Sequence, residues 1–223
     1  MTRGVATAKA EETRERILDA ALRLFRKRGF DQTTMRDIAE EAEVATGAAY
    51  YYFPSKEALV MAFYIRTADE ARDILPRQID RSRDLKKRLR TIIDHKFEQF
   101  AGHRALLIGL VRIGIDPKHE LSPFGKATQT MRDESVEFFR RALEESSTKI
   151  AADLRRDLPR LLWMYQMGLI LFWLFDDSRD QQRTKRLTDG TLDLVVRLIQ
   201  LSSLPLMGPL RKRLLALLRS IDE

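Results

Sequence analysis

The chain has 223 residues, 44% of them hydrophobic and 33% charged, with a formal net charge of +7 and no cysteine. This is the composition of a soluble globular protein long enough to build a real core in one domain or two. The missing thiols exclude disulfides, thiolate nucleophiles and thiolate metal sites, and they suit a reducing cytoplasm. Residues 1–10 are small, polar and aperiodic and are expected to form a flexible arm. They lack the apolar stretch of a secretory signal, so export is not expected. From Thr13 onward Ile17, Leu18, Ala21, Leu24 and Phe25 recur at the spacing of one buried helical face. Gly29 supplies the left-handed residue that ends this helix, with Phe30 folded back on Phe25. A second helix starts at Thr34, whose side chain is placed to cap the amide of Asp37, and it carries Met35, Ile38, Ala39 and Ala42 as its apolar stripe. A break at Glu43-Val44 precedes a third helix from Ala45 to Tyr52, which Pro54 stops; Ser55 caps a fourth. Further helices are expected over 55–74, 84–101, 103–114, 124–146, 153–176, 180–203 and 209–221. Pro76, Gly102, Asp116-Pro117, Ser146-Ser147, Asp176-Asp177-Ser178 and Leu204-Pro205 separate them, and Leu158-Pro159 marks a kink or restart. The longest apolar run, Leu161 to Phe175, is shorter than the roughly 20 residues that span a bilayer and reads as a buried helix.

Three short helices, the last two joined by a tight turn and the third ending in aromatics, form a helix-turn-helix. The second helix braces the third, whose outward face fits the major groove of DNA. Bulk charge does not carry this reading: residues 1–53 hold nine basic and nine acidic side chains, and the basic excess lies in residues 54–223. The pattern carries it. Thr33-Thr34-Met35-Arg36-Asp37-Ile38-Ala39-Glu40-Glu41-Ala42, then Val44, then Gly47-Ala48-Ala49-Tyr50-Tyr51-Tyr52-Phe53-Pro54-Ser55-Lys56-Glu57-Ala58-Leu59, resembles the signature of the tetracycline-repressor (TetR) family. Ile17 to Phe25, ending at Gly29-Phe30, resembles that family's first helix, so the resemblance covers about residues 13–60. Two positions depart from it. Glu43 stands where many members have glycine, at a cost of up to ~1–2 kcal/mol if the left-handed backbone is kept. Ala45 stands where many have serine or threonine, which forfeits a cap worth ~1 kcal/mol.

The resemblance and the helix faces together assign roles. Ala45, Ala49, Tyr52 and Phe53 are expected to pack inward beneath Val44, while Thr46, Gly47, Tyr50 and Tyr51 point outward, at positions that meet DNA in the family. Gly47 permits close approach, the tyrosine hydroxyls suit phosphate oxygens, and Thr46 with the methyl of Ala48 suits base edges. Thr33, Thr34 and Arg36, at the start of the second helix, are expected to hold phosphate. Lys56 resembles the family's phosphate-clamping lysine. Three consecutive tyrosines also read as core aromatics; that reading is kept for Tyr52, and Thr34 is a cap before it is a contact.

In the remainder, residues 161–175 are apolar nearly all the way round, which calls for burial on every side. Either a second subunit covers one face or the helix is threaded through a single core. The resemblance implies a homodimer through helices 153–176 and 180–203, packed as a four-helix bundle. The dimer residues are then Leu187, Thr191, Leu194, Val195, Leu198 and Leu201, with Gly168 and Gly190 allowing close backbone approach. The family also implies a small-molecule effector, apolar or aromatic. Its ligand-binding candidates are Phe97, Phe100, His103, Leu107, Leu110, Phe138, Trp163, Gln166, Met167 and Ile170, with Trp173 beside them; each of these also reads as plain core. Gln166, an amide in an apolar run, needs a partner, either a protein carbonyl or a ligand. His95, His103 and His119 make no metal-ligand array. The C-terminal segment, with Leu210, Leu214, Leu217, Leu218 and Ile221 beside Arg211, Lys212, Arg213 and Arg219, is a basic amphipathic helix that suits a membrane surface or packing on the body or dimer.

No glycine-rich phosphate loop, nucleophile elbow or metal array is present to support an enzyme, and no cofactor is implied. The expected fold is all-α. A helix-turn-helix DNA-binding domain (11–57) follows the arm (1–10) and precedes a helical ligand-binding and dimerisation domain (58–204) and an extra helix (205–223). The expected function is that of a cytoplasmic, effector-responsive transcriptional regulator, a repressor by family resemblance, acting on a near-palindromic double-stranded operator. The rival reading is a helical adaptor or membrane-surface protein whose head binds protein.

Overall fold

The computed structural model describes residues 2–221, with side chains for residues 8–204, 206–213, 215 and 216. The helices are α1 (Thr2–Arg28), α2 (Met35–Glu41), α3 (Thr46–Tyr52), α4 (Lys56–Ile79), α5 (Leu85–Ala101), α6 (Arg104–Gly114), α7 (Gln129–Glu144), α8 (Leu158–Leu174), α9 (Gln182–Ser202) and α10 (Gly208–Ile221). The described residues include no strand. They fall into two compact units that alternate along the chain: residues 1–70 with 98–132, and residues 71–97 with 133–223. The residue at which the head was expected to end lies inside α4, which continues as one helix from the first unit into the second.

The first unit is built on the periodicity of α1. Ile17, Leu18, Ala21, Leu24 and Phe25 are all buried, in one cluster with Met35, Ile38 and Ala39 of α2, Ala49 and Phe53 around α3, and Leu59, Val60 and Phe63 of α4. Leu106 and Leu110 of α6 complete it. Helix α1 starts at Thr2, so the segment expected to be an arm is drawn as helix; alanine and charged residues from Ala8 to Arg16 are good helix formers. Between α6 and α7 the chain forms a compact loop where a helix was expected to begin at residue 124. Pro123 and Gly125 interrupt regular winding, and the loop is closed on itself. Ser122 Oγ donates to the Gly114 carbonyl (2.6 Å) and Arg132 donates to the carbonyls of Pro123 and Gly125 (2.9 Å each). A side chain at Gly125 would stand 3.0 Å from the carbonyl oxygen of Pro117 and 3.1 Å from that of His119, so the loop would have to open by a few tenths of an ångström to admit one.

In the second unit Ala71, Leu75 and Ile79 of α4 join Leu89, Ile92 and Ile93 of α5, Phe139 and Leu143 of α7, Leu162, Trp163 and Leu169 of α8, and Leu192 and Ile199 of α9. The stripe Ala71–Leu75–Ile79 carries α4 past Pro76. The proline removes one backbone hydrogen bond and crowds the Arg72 carbonyl, a cost offset by the burial of Leu75 and Ile79 together. Arg88 is fully buried; its guanidinium donates to the carbonyls of Ser82 (2.7 Å) and Arg141 (3.0 Å) and to Glu145 (3.2 Å). Helix α8 starts at Leu158, with Pro159 in its first turn, where the missing N–H costs nothing. Between α8 and α9, Asp180 and Gln181 are both left-handed, with φ of 52° and 50°. Buried Asp176 holds this corner, accepting from the amide and hydroxyl of Thr184 (2.8 and 2.7 Å) and from the hydroxyl of Ser178 (2.6 Å). Helix α10 is fastened by Arg211, whose Nε donates to Asp153 (2.8 Å) and whose Nη1 donates to the Ser202 carbonyl; Leu215 is buried. Leu210 is exposed, and the side chains of Leu214, Leu217, Leu218, Arg219 and Ile221 lie outside the described residues.

Candidate nucleic-acid interface

The geometry of α2 and α3 follows from local chemistry. Gly29, at φ 82°, donates its N–H to the Phe25 carbonyl (2.9 Å), and the rings of Phe25 and Phe30 lie 5.4 Å apart. Thr34 caps α2 reciprocally: its hydroxyl accepts from the Asp37 amide (3.2 Å) while the Asp37 carboxylate accepts from the Thr34 amide (2.9 Å). The Thr34 hydroxyl and amide hold the Asp37 carboxyl below the usual carboxylate range, so it stays charged at the positive end of the helix. Helix α2 ends in a Schellman turn. Val44 N–H reaches the Ala39 carbonyl (3.0 Å), Glu43 N–H reaches that of Glu40 (3.1 Å), and Glu43 takes the left-handed backbone at φ 53° that glycine has in many relatives of the motif. Ala45 opens α3 with no side-chain cap, and Ser55 opens α4 with its Oγ accepting from the Ala58 amide (3.1 Å).

Helix α3 therefore presents a defined outer face. Thr46 and Gly47 are exposed, Tyr50 is 50% exposed and Tyr51 84%, which excludes both tyrosines from the core. Ala49 and Phe53 are buried, and Tyr52 packs against the same core, as expected. Nothing lies within 4 Å of where a side chain on Gly47 would begin. A glycine within a helix costs up to ~1 kcal/mol relative to alanine, and no neighbour inside the chain requires this one.

Several expectations are corrected. Thr33 is not at the surface: it is fully buried and its hydroxyl donates to the Gly29 carbonyl (2.8 Å), because the turn after α1 leaves that carbonyl without a helical partner. Ala45 does not pack inward; as the residue preceding the helix it is exposed. Ala48 is half-buried, with only part of its methyl outward. Lys56 donates to the Phe30 carbonyl (2.7 Å), with its ammonium 4.4 Å from the centre of the Phe30 ring, so it ties α4 to the end of α1. Two of its three N–H donors remain for a phosphate. Thr34 and Arg36 are exposed at the start of α2.

The residues expected around an effector divide between the units. In the second, Trp163, Gln166 and Ile170 are buried, Phe97, Phe138 and Met167 are half-buried, and Phe97 lies 5.9 Å from Trp173, ring centre to ring centre. Gln166 has its protein partner, donating to the Ile92 carbonyl (3.3 Å). In the first unit, Leu107 and Leu110 are buried and Phe100 is half-buried; His103 sits 4.6 Å from the ring of Phe63. Burial, then Arg26 and Arg66, hold the His103 pKa down, so its imidazole is neutral at physiological pH. No group of His, Asp and Glu side chains suited to a metal ion occurs among the described residues.

The expected dimer stripe of α9 is redrawn. Thr184, Thr188, Leu192 and Ile199 form its buried line. Leu187 and Val195 lean against the core of the second unit, and Thr191 shares a hydrogen bond with the Tyr165 hydroxyl of α8 (2.7 Å). Gly190, Leu194, Leu198 and Leu201 lie on the opposite side and are exposed. Helix α8 buries one face and exposes Met164, Gly168, Leu171 and Phe172, continuing to Phe175. Nothing lies within 4 Å of where a side chain on Gly168 or Gly190 would begin.

No helix among the described residues is long and apolar enough to cross a membrane. Residues 17–63 match the family profile described as bacterial regulatory proteins, tetR family, and residues 88–214 match that described as tetracyclin repressor-like, C-terminal domain. The nicotine-responsive transcriptional repressor HdnoR of Paenarthrobacter nicotinovorans is 23% identical over 82% of this chain and 96% of its own length. The uncharacterised HTH-type transcriptional regulator YerO of Bacillus subtilis is 32% identical over 49% of this chain, a match that spans 38% of YerO. Among solved structures, the transcriptional regulator FadR of Bacillus subtilis, in complex with stearoyl-CoA, superposes with a TM-score of 0.61 at 18% identity, covering 82% of this chain and 97% of that one. With both halves of the fold matched, the head over α1–α4 and the body over α5–α10, the chain belongs to the tetR family of bacterial regulatory proteins.

Proposed function

We propose that this protein is an effector-responsive transcriptional repressor that binds a near-palindromic DNA operator as a homodimer and acts in the cytoplasm. The single observation that carries the DNA half of the reading is the outer face of α3, with two exposed tyrosines beside a glycine that nothing inside the chain requires. On DNA, Tyr50 and Tyr51 bond phosphate oxygens, Thr46 and Ala48 meet base edges, and Thr34, Arg36 and Lys56 hold the flanking backbone. A gel shift with duplexes from upstream of the protein's own gene tests it: the wild type retards one of them, and Tyr50→Phe with Tyr51→Phe weakens that complex. A full panel of such duplexes left unshifted contradicts it.

The second copy packs on the exposed side of α8 and α9. Met164, Leu171, Phe172 and Phe175 form one apolar ridge and Leu194, Leu198 and Leu201 the other, with Gly168 and Gly190 between them, where a partner helix can approach closely. Two recognition helices of two turns each read too few base pairs singly, so a two-fold dimer on two half-sites is the geometry that gives specificity.

The effector is a small apolar or aromatic molecule. HdnoR is described as nicotine-responsive and the FadR structure holds stearoyl-CoA; the body of this chain pairs Phe97 with Trp173, and buries Trp163 and Gln166 earlier on the same helix as Trp173. Effector and operator bind different states of the dimer, with α4 as the covalent link from head to body; each therefore weakens the other by the same factor. A thermal-shift screen on the wild type and on Trp163→Ala tests the assignment: a compound that stabilises only the wild type, and whose saturation lowers operator affinity, supports it.

A further inference from the structure

Resting on the reading that the outer face of α3 enters the major groove, we infer that α3 recognises its half-site chiefly through thymine 5-methyl groups. The sequence of α3, Thr-Gly-Ala-Ala-Tyr-Tyr-Tyr, has no guanidinium, ammonium, carboxamide or carboxylate side chain. Those are the groups that read bases by paired or directional hydrogen bonds: Arg or Lys at guanine, Asn or Gln at adenine, Asp or Glu at cytosine. A hydroxyl both donates and accepts, so Thr46, Tyr50 and Tyr51 bond any base edge or a phosphate with little discrimination. What α3 offers beyond hydroxyls is apolar: the Thr46 methyl, the exposed faces of Tyr50 and Tyr51, and the bare methyl of Ala45 at the start of the helix. Ala45 forms no side-chain cap, so the position gives up helix stability and presents a second methyl beside that of Thr46. Gly47, with nothing within 4 Å of its missing side chain, lets this surface close on the groove floor. Only one base-edge group in the major groove is apolar, the 5-methyl of thymine, and it is the complement of this face.

The test uses the full chain and duplexes selected by it from a random pool. The expected half-site carries A·T pairs at the positions covered by α3. Replacing the thymines there one at a time by deoxyuridine removes only the methyl group, and at least one such replacement weakens binding about fourfold, the factor for one buried methyl-sized group. At one position Thr46→Ser, which keeps the hydroxyl and drops the methyl, loses the distinction between thymine and deoxyuridine, whereas Thr46→Val keeps it. Selected half-sites dominated by G·C pairs under α3, or deoxyuridine tolerated at every position, overturn the inference and leave DNA binding standing. A pool from which no sequence is enriched overturns both.

Discussion

The outer face of α3 and the outer face of α8 and α9 share one feature and differ in another. Each carries glycine inside a helix where no neighbour in the chain would meet a side chain: Gly47 in one case, Gly168 and Gly190 in the other. Helices lose stability at such positions, and both faces leave room for a partner to approach closely. Around Gly47 stand hydroxyls, which can bond a wet, charged backbone; around Gly168 stand Met164, Leu171 and Phe172, and beyond Gly190, past Arg186 and Asp193, Leu194, Leu198 and Leu201, side chains that gain by leaving water. On the function proposed above, the first face meets DNA and the other a second copy of the chain.

The largest test of that contrast is on the body. Leu194 and Leu198 are 60% and 63% exposed in one chain, so glutamate at both costs the lone protomer little. In the dimer the same charges are buried and unpaired, a penalty of at least ~4 kcal/mol, or roughly a thousandfold in the dimer dissociation constant. Sedimentation velocity should therefore find Leu194→Glu/Leu198→Glu monomeric with an unchanged helical circular dichroism spectrum. A variant that stays dimeric would place the interface elsewhere.

Next is Gly47→Ala, for which two effects of opposite sign are expected. The added methyl meets nothing inside the chain, so the head gains up to ~1 kcal/mol in denaturant unfolding. The same methyl stands off the groove floor, so operator affinity falls at least about tenfold, equivalent to ~1.4 kcal/mol. Loss of stability and affinity together would mean that Gly47 serves the fold and not the contact.

Glu43→Gly separates the turn from the face it supports. Relief of a left-handed non-glycine residue should raise stability by ~1 kcal/mol and leave operator affinity within twofold of wild type. The smallest effect at neutral pH is the acid one. Burial pushes the Asp176 carboxyl up, but hydrogen bonds from Ser178 and Thr184 outweigh it and hold the group well below the usual carboxylate range. Its folded pKa is thus lower than its unfolded one. The stability it supplies is complete above the ordinary carboxylate range and is lost progressively as pH falls below about 5 toward the lowered value. Thermal melts across that window should fall less steeply for Asp176→Asn than for the wild type.

Legibility in the sequence followed the range of the interactions. The cap at Thr34, the left-handed end at Gly29 and the cap at Ser55 are each made by residues within five positions, and each was readable from residue type and spacing, whereas the left-handed Glu43 was signalled only by the resemblance, where many members have glycine. Thr33 was misread because it is adjacent to Thr34 and chemically identical; only the position of the Gly29 carbonyl decides that one hydroxyl turns inward while the other caps. The Lys56 contact with the Phe30 carbonyl joins residues far apart in sequence, and so does the Arg88 network; no local pattern announces either. On α9, a stripe six residues wide was drawn where the buried and exposed lines are separate. Three neighbours with apolar or small side chains, Leu187, Thr191 and Val195, fit either line by periodicity, and packing against α8 and the core assigned them. Of the left-handed pair Asp180 and Gln181, aspartate carries only a weak preference for that backbone and glutamine none, so the sequence did not announce it.

The central claim, that the two faces take different partners, is tested most directly by sedimentation of the wild-type chain alone and with a duplex that it selects. The account predicts a dimer when alone and two protomers on each operator duplex. A stable monomer when alone, or a single protomer saturating the duplex, would contradict it.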